Sequence, residues 1–198
     1  NESNLEKAQK LIEEETEYGP NNKFEFTFTV YKSSTAWPKV AKQLRDKLAS
    51  AHISIDIQKT PFSTLTQRGR NGKLEAYSLG WVMDYPRPDN FLNLLYPPES
   101  STELSAPLSY MNWEGTEAAQ SATDAWDTVS NNTKPTEAAQ QKRNEAYITM
   151  EEANWEDVGM LPVYHGLDER YTYEHVDAPK FGTASYSRQM YNKVKLNK

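Results

Sequence analysis

The chain is 198 residues long, and its 37% hydrophobic content, with twelve tyrosines and five tryptophans, is enough to build a real core in one large domain or two small ones. A formal net charge of -6, with acids and bases interspersed, leaves no basic stripe of the kind nucleic-acid binding requires. No apolar run approaches the ~18 residues needed to span a bilayer, Asn1 to Lys10 holds no signal-peptide core, and the lack of cysteine rules out disulfides and thiolate metal sites without fixing a compartment.

In chain order, Leu5, Ala8, Leu11 and Ile12 recur at helical spacing among Glu and Lys, and Tyr18-Gly19-Pro20 supplies the stop. Phe24, Phe26, Phe28 and Val30 then alternate with Glu25, Thr27 and Thr29, the period of a strand with one strongly apolar face. Ser34 or Thr35 can cap a second helix, whose Trp37, Val40, Leu44 and Leu48 form an apolar face while Lys42, Arg45 and Lys47 stay in water. Ile53, Ile55 and Ile57 alternate again. Strand, helix and strand with short links predict a right-handed crossover with parallel strands.

A second turn of the same plan follows. Pro61 and Phe62 open a helix to about Arg70, Asn71-Gly72 makes a turn, and Leu74 to Val82 reads as a third strand that delivers Asp84 at its carboxyl end. Asp89 or Asn90 can cap a short helix through Phe91, Leu92 and Leu95, ended by Pro97-Pro98, and Glu99 to Glu114 reads as a long loop. Two further helices are predicted, from about Glu117 to Val129 and from Thr136 to about Glu156. The first has a face of Ala118, Ala122, Ala125, Trp126 and Val129; the second carries Ala139, Arg143, Ala146, Tyr147, Met150 and Ala153, with Tyr147 and Met150 as core. The last third returns to strands over Met160–Tyr164, Tyr171–Val176 and Met190–Leu196.

The stretch richest in chemistry is Gly80-Trp81-Val82-Met83-Asp84-Tyr85-Pro86-Arg87-Pro88-Asp89-Asn90-Phe91. An apolar run stops at an acid followed by prolines, which cannot donate to a sheet ladder, and ligands of open α/β sheets sit just beyond the carboxyl ends of parallel strands. The bland alternative makes Asp84 a turn initiator and Trp81 core filling. Residues 80–92 resemble the Gly-Trp-x-x-Asp-Tyr-x-x-Pro-x-x-Phe-Leu signature of the extracellular solute-binding proteins that feed ABC-type oligopeptide and dipeptide importers. The resemblance extends through the helix and strand pairs before it, the late helix pair and Leu161-Pro162-Val163-Tyr164.

This resemblance implies an α/β fold with a mixed, partly parallel sheet flanked by helices: the carboxyl-terminal lobe of a two-lobed periplasmic-binding-protein-like fold. It places the ligand-binding lobe in residues 1–185 and makes residues 186–198 a segment returning to an amino-terminal lobe, as though this were the carboxyl-terminal portion of a larger chain. It further implies an extracytoplasmic protein, periplasmic or at the cell surface and membrane-anchored at full length, acting as a monomer. Its partners would be a peptide or other small solute and a membrane permease, with no nucleic acid and no cofactor.

Residue by residue, the resemblance has Asp84 pair with the α-ammonium of a peptide and Trp81 line the cleft, with Tyr85 beside them. Phe62 falls near a side-chain pocket, and either Tyr164 or His165 reaches the ligand. A receptor for many peptides must hold what all peptides share, so a buried carboxylate for the amino terminus and flat rings for variable side chains suit the task. Where some oligopeptide binders have an arginine three residues before the tryptophan, this chain has Ser78, so a ligand carboxylate would need another partner. The same signature serves relatives that carry nickel, sugars and other solutes.

Catalysis finds little support. His52, His165 and His175 show no metal-ligand spacing among themselves, and neither a nucleophile elbow nor a phosphate-cradling glycine loop occurs. A metal on His165, Asp168 and Glu169 is disfavoured against a solvated turn. A hydrolase using Asp84 and Asp89 remains an alternative, although their spacing across two prolines gives no control of carboxylate separation. A stand-alone interaction domain is a third reading.

Overall fold

Aromatic and β-branched residues make Phe24–Tyr31 (β1) a strand, and it takes parallel neighbours on both edges. The computed structural model describes residues 2–82, 85, 87–95, 113, 115–166, 171–177 and 194–197, and the chain forms two compact units, residues 1–80 and 81–198.

The first unit opens with helix α1 (Glu2–Glu15), which leads to β1; then come α2 (Trp37–Leu48), a 3-10 turn (Ala49–Ala51) and strand β2 (Ile53–Thr60). Helix α3 (Phe62–Arg70) and the short β3 (Ala76–Tyr77) complete it. The strand order is β2-β1-β3, with Phe24 opposite Ile53 and Tyr31 opposite Thr60, so the predicted parallel crossover is present. Neither Ser34 nor Thr35 holds the N-cap of α2, a position Ala36 takes, although the Ser34 hydroxyl just ahead of it accepts the Trp37 N–H at 3.1 Å. Val30, Trp37 and Ala41 form the buried core, with Phe28, Tyr31, Val40 and Ile57 packed on it, and Leu65 of α3 is fully enclosed. Asn71-Gly72 turns as expected, with Gly72 at φ 61°, where a side chain would be strained.

The second unit contains α4 (Asp89–Leu92) with a 3-10 turn (Asn93–Leu95), α5 (Glu117–Asn131), α6 (Glu137–Asp157) and two short antiparallel strands, β4 (Val176–Asp177) and β5 (Lys195–Leu196). Thr116 and Thr136 cap α5 and α6 by accepting the N–H groups of Ala119 and Ala139 at 3.0 and 3.3 Å. The predicted alanine faces meet: Ala118, Ala122 and Ala125 of α5 pack with Ala146, Tyr147, Met150 and Ala153 of α6 in one core that also takes Leu92, Leu95 and Trp113. Small residues let the two helices approach closely. Arg143 closes the link between them by donating to the carbonyls of Asn132 and Lys134.

Several expectations are corrected. The strand expected over Leu74–Val82 reduces to Ala76–Tyr77, which pair with Phe28 and Thr29 of β1. At the entry to β3, the Glu75 carboxylate takes the Thr27 N–H at 2.7 Å, the role a backbone carbonyl would have in a longer strand. That bond holds the Glu75 carboxyl below its ordinary range. On the face of β1 that carries its polar residues, Thr29 is 1% exposed.

Neither Asp89 nor Asn90 caps α4; Pro88 occupies that position, and both side chains are engaged elsewhere. Met160–Tyr164 is not a strand. Its first backbone groups are taken by a side chain: the Asn154 carboxamide accepts the Met160 N–H and donates to the Met160 carbonyl, both at 2.8 Å. The strands expected over Tyr171–Val176 and Met190–Leu196 reduce, among the described residues, to Val176–Asp177 and Lys195–Leu196. Pro97-Pro98 and the expected loop over Glu99–Glu114, apart from Trp113, lie outside the described residues.

Candidate functional site

In the second unit, the signature stretch leaves the sheet behind, so its geometry is set by side chains. Trp81 is half-buried, and its indole N–H donates to the Asn90 Oδ1 at 3.2 Å. Tyr85 is 37% exposed, and its hydroxyl donates to the Asp89 carboxylate at 3.2 Å. The Tyr85 oxygen also receives a hydrogen bond from the Asn90 side chain; burial is the main cause that raises the phenol above its ordinary value, with the Asp89 charge adding to it. One carboxamide thus serves both aromatics. Asn90 can do so because the first turn of α4 points it into a setting where only 2% of it is exposed.

Arg87 forms the outer edge. Its guanidinium pairs with Asp89 at 3.0 Å and hydrogen-bonds the Tyr147 side chain on α6. That bond and the Asp89 charge raise the Arg87 pKa, so it stays a cation at any accessible pH. The backbone turns tightly here, with the Arg87 N–H on the Tyr85 carbonyl at 2.9 Å and the Asn90 N–H on the Arg87 carbonyl at 3.1 Å. Asp89, which a hydrolytic reading would make a reacting carboxylate, is occupied by Arg87 and Tyr85.

Of the residues expected in the site, Trp81 and Tyr85 are brought together through Asn90. Asp84 and Met83 lie outside the described residues. Tyr164 and His165 follow the Asn154 clasp in an exposed run, with Tyr164 at 56%. Phe62 belongs to the first unit, where it opens α3, is half exposed and meets Tyr31 edge to face at 5.6 Å. Ser78, standing where an arginine occurs in some oligopeptide binders, is 2% exposed and has no hydrogen-bond partner for its hydroxyl among the described residues, so it is enclosed rather than presented. Asp168 and Glu169 are outside the described residues, and among those described no three metal-binding side chains gather.

The roles of Asn90, Arg87 and Tyr147 were not visible in the sequence. Asn90 reads locally as a helix cap, and no spacing rule joins Trp81 to a residue nine positions on or Arg87 to a helix sixty residues later. A second constellation was equally hidden: the Asp157 carboxylate accepts from the Trp113 indole at 2.9 Å and from the Thr116 hydroxyl, tying the end of α6 to the start of α5. The Thr116 bond first, then the Trp113 bond, hold the Asp157 carboxyl below its ordinary value. The groove of about 550 Å³ between α5 and α6, lined by residues such as Glu117, Asp124, Lys142 and Glu145, contains none of the expected site residues.

Residues 1–103, a stretch that includes the whole signature, match the family model described as bacterial extracellular solute-binding proteins, family 5 Middle. No curated protein matches the chain. Among solved structures, OppA of Haemophilus influenzae in complex with RPPGFSPFR is similar with a TM-score of 0.63 and 20% identity, over 87% of this chain and 31% of that one. The murein tripeptide binding protein MppA of Escherichia coli follows with a TM-score of 0.62 and 19% identity, over 89% and 31%. The periplasmic binding protein DppA of Helicobacter pylori, in complex with the peptide STSA, has a TM-score of 0.61 and 22% identity, over 78% and 27%. At these identities the likeness establishes the fold, an α/β arrangement with a parallel sheet and flanking helices. The chain spans less than a third of each of these three proteins.

Proposed function

Because the chain belongs to the bacterial extracellular solute-binding proteins of family 5, we propose that it is part of the receptor of an ABC-type importer that captures an oligopeptide or dipeptide and hands it to a membrane permease. The observation that carries this reading is the signature inside the matched stretch. Its aromatics Trp81 and Tyr85 are pinned by Asn90 and Asp89, and the sequence puts a carboxylate, Asp84, between these two rings. The peptides named with OppA and DppA, and the tripeptide named for MppA, support a peptide over another solute.

In this reading Asp84 holds the ligand's α-ammonium, Trp81 and Tyr85 face its variable side chains, Tyr164 or His165 reaches it from the late segment, and Phe62 contributes to a side-chain pocket. An ion pair removed from bulk water gives real affinity, and it fails when the amine is blocked. Residues 1–185 form the ligand-binding lobe and 186–198 the segment that returns to an amino-terminal lobe. The full protein works outside the cytoplasm as an anchored monomer, and lobe closure on the peptide presents it to the permease.

The test is an amide NMR titration with tri-, tetra- and pentaalanine and with the same peptides acetylated at the amino end. With part of the contacts supplied by the rest of the protein, millimolar affinity is expected of this chain. Shifts around residues 81–87 that disappear on acetylation, and on Asp84→Asn substitution, are expected. Equal shifts with free and acetylated peptides would overturn the role of Asp84. No response to any peptide, from this chain or from the full-length protein, would overturn peptide binding.

A further inference from the structure

We infer that Asn90 is the positioning residue of this site, an internal brace that fixes the side chains of Trp81 and Tyr85. The inference rests on the solute-binding reading above and names the group that gives the site its shape. A carboxamide has a donor end and an acceptor end, and here both are used on the signature itself: Oδ1 takes the Trp81 indole N–H at 3.2 Å, and the amide end serves the Tyr85 oxygen. Aspartate could keep the first bond but has no hydrogen to give to the second. Leucine, which would suit the buried Leu92, Leu94 and Leu95 nearby, could make neither.

Burial sets the energetic stake. Asn90 is 2% exposed, and an unmet polar group at such a place is costly, so the carboxamide has to find partners. Those it finds are Trp81, three residues before Asp84 in the sequence, and Tyr85, one residue after it. Asp89, next to Asn90 on the same turn, reinforces the arrangement by accepting the Tyr85 hydroxyl and pairing with Arg87, which reaches Tyr147 on α6. The ring positions are therefore referred to the first turn of α4 and, through Arg87, to the helix core. Such preorganisation lowers the ordering cost of binding and raises affinity without touching the ligand.

The experiment uses Asn90→Asp and Asn90→Leu, with Tyr85→Phe and Trp81→Phe as partners that leave the buried site intact, and Thr136→Ala as a destabilised control far from the signature in sequence. The chain is labelled with 5-fluorotryptophan, the Trp81 resonance is assigned by its loss in Trp81→Phe, and tetraalanine is the ligand probe. In the absence of ligand, exchange of the Trp81 indole N–H is expected to be protected in the parent and in Asn90→Asp and to lose protection in Asn90→Leu. With tetraalanine, Asn90→Leu is expected to weaken binding about tenfold or more, the equivalent of ~1.4 kcal/mol. Asn90→Asp should weaken it less, and Tyr85→Phe should add little on top of Asn90→Leu.

An unprotected Trp81 indole in the parent would overturn the inference whatever the ligand result. So would a folded Asn90→Leu variant with unchanged affinity, or a loss of affinity that merely follows the loss of melting temperature as in Thr136→Ala. If Asn90→Leu does not fold, Asn90→Asp set against Tyr85→Phe decides the question by the same non-additivity. Failure of the parent to bind tetraalanine or any other peptide would count against the function, while the ligand-free indole exchange would still report on the brace.

Discussion

The two units hold their loops by different means. In residues 1–80, eight consecutive pairs along β1 and β2 fix the backbone by a repeating ladder, and the apolar residues fall on positions set by that register. In residues 81–198, the ladder of β4 and β5 spans two residue pairs among the described residues, and single side chains hold several described segments: Asn90 for Trp81 and Tyr85, Asn154 for Met160, Asp157 for Trp113. A ladder distributes its hold over many groups, so one substitution weakens it slightly. A side-chain brace concentrates it, and one substitution releases a whole segment.

The sharpest way to break this comparison is at the helix core. Met150 is fully enclosed between α5 and α6, and Met150→Ala should cost about 2–5 kcal/mol by lost burial and the cavity left behind, read as a drop in the denaturant midpoint with faster amide exchange in both helices. Leu65→Ala in the first unit falls in the same range. If the Met150 variant were markedly milder, the helix pair would be less closely packed than its alanine faces indicate.

Next in size is Asn154→Ala. It removes a donor and an acceptor from Met160 at 3% exposure and should cost about 2 kcal/mol. The telling measurement is amide exchange at Met160 and proteolysis within residues 160–166: both should rise well before global unfolding. Equal rises throughout the unit would mean that Asn154 is ordinary core and no brace.

Thr136→Ala, which strips the α6 cap, should cost about 1 kcal/mol by thermal melting. Val158, at φ 50°, is a β-branched residue in a left-handed conformation just past α6. Val158→Gly should therefore raise stability, by about 0.5 kcal/mol once the added freedom of the unfolded glycine is subtracted. A fall in melting temperature would show that the valine side chain contributes more by packing than its backbone strain costs.

The smallest effect belongs to Asp157, whose carboxylate is exposed to solvent and screened. Its folded pKa lies below the ordinary 3.8, so its contribution is present in full above that value and is lost as pH falls through the depressed folded pKa. The difference in melting temperature between the parent and Asp157→Asn should be constant near neutrality and should narrow below about pH 3.8. A difference that persists unchanged at lower pH would assign the effect to packing and not to charge.

How much could be read in advance follows the same division. The alternation of Phe24, Phe26, Phe28 and Val30 and of Ile53, Ile55 and Ile57 marked two strands, and the helical spacing of Ala118, Ala122, Ala125 and of Tyr147, Met150, Ala153 marked a packed pair, because periods of two and 3.6 are local consequences of backbone geometry. The Gly80–Leu92 string identified the family on its own. The length of β3 was beyond reach, since the apolar residues from Leu74 to Val82 suggest a longer strand than the two residues that pair with β1. Met160–Tyr164 likewise looks like a strand until the Asn154 carboxamide takes its first backbone groups.

The sequence by itself determined β1, β2, the main helices and their order, the parallel crossover and the residues that carry the signature, because these depend on side-chain periodicity and chain connectivity. Only the tertiary structure decided that Asn90 braces two rings instead of capping α4, that Arg87 reaches Tyr147, and that Asp157 joins Trp113 to Thr116. Those bonds link polar groups that are distant in sequence or serve a second role locally. Which partner a buried carboxamide or carboxylate finds is settled by the packing that excludes water from it.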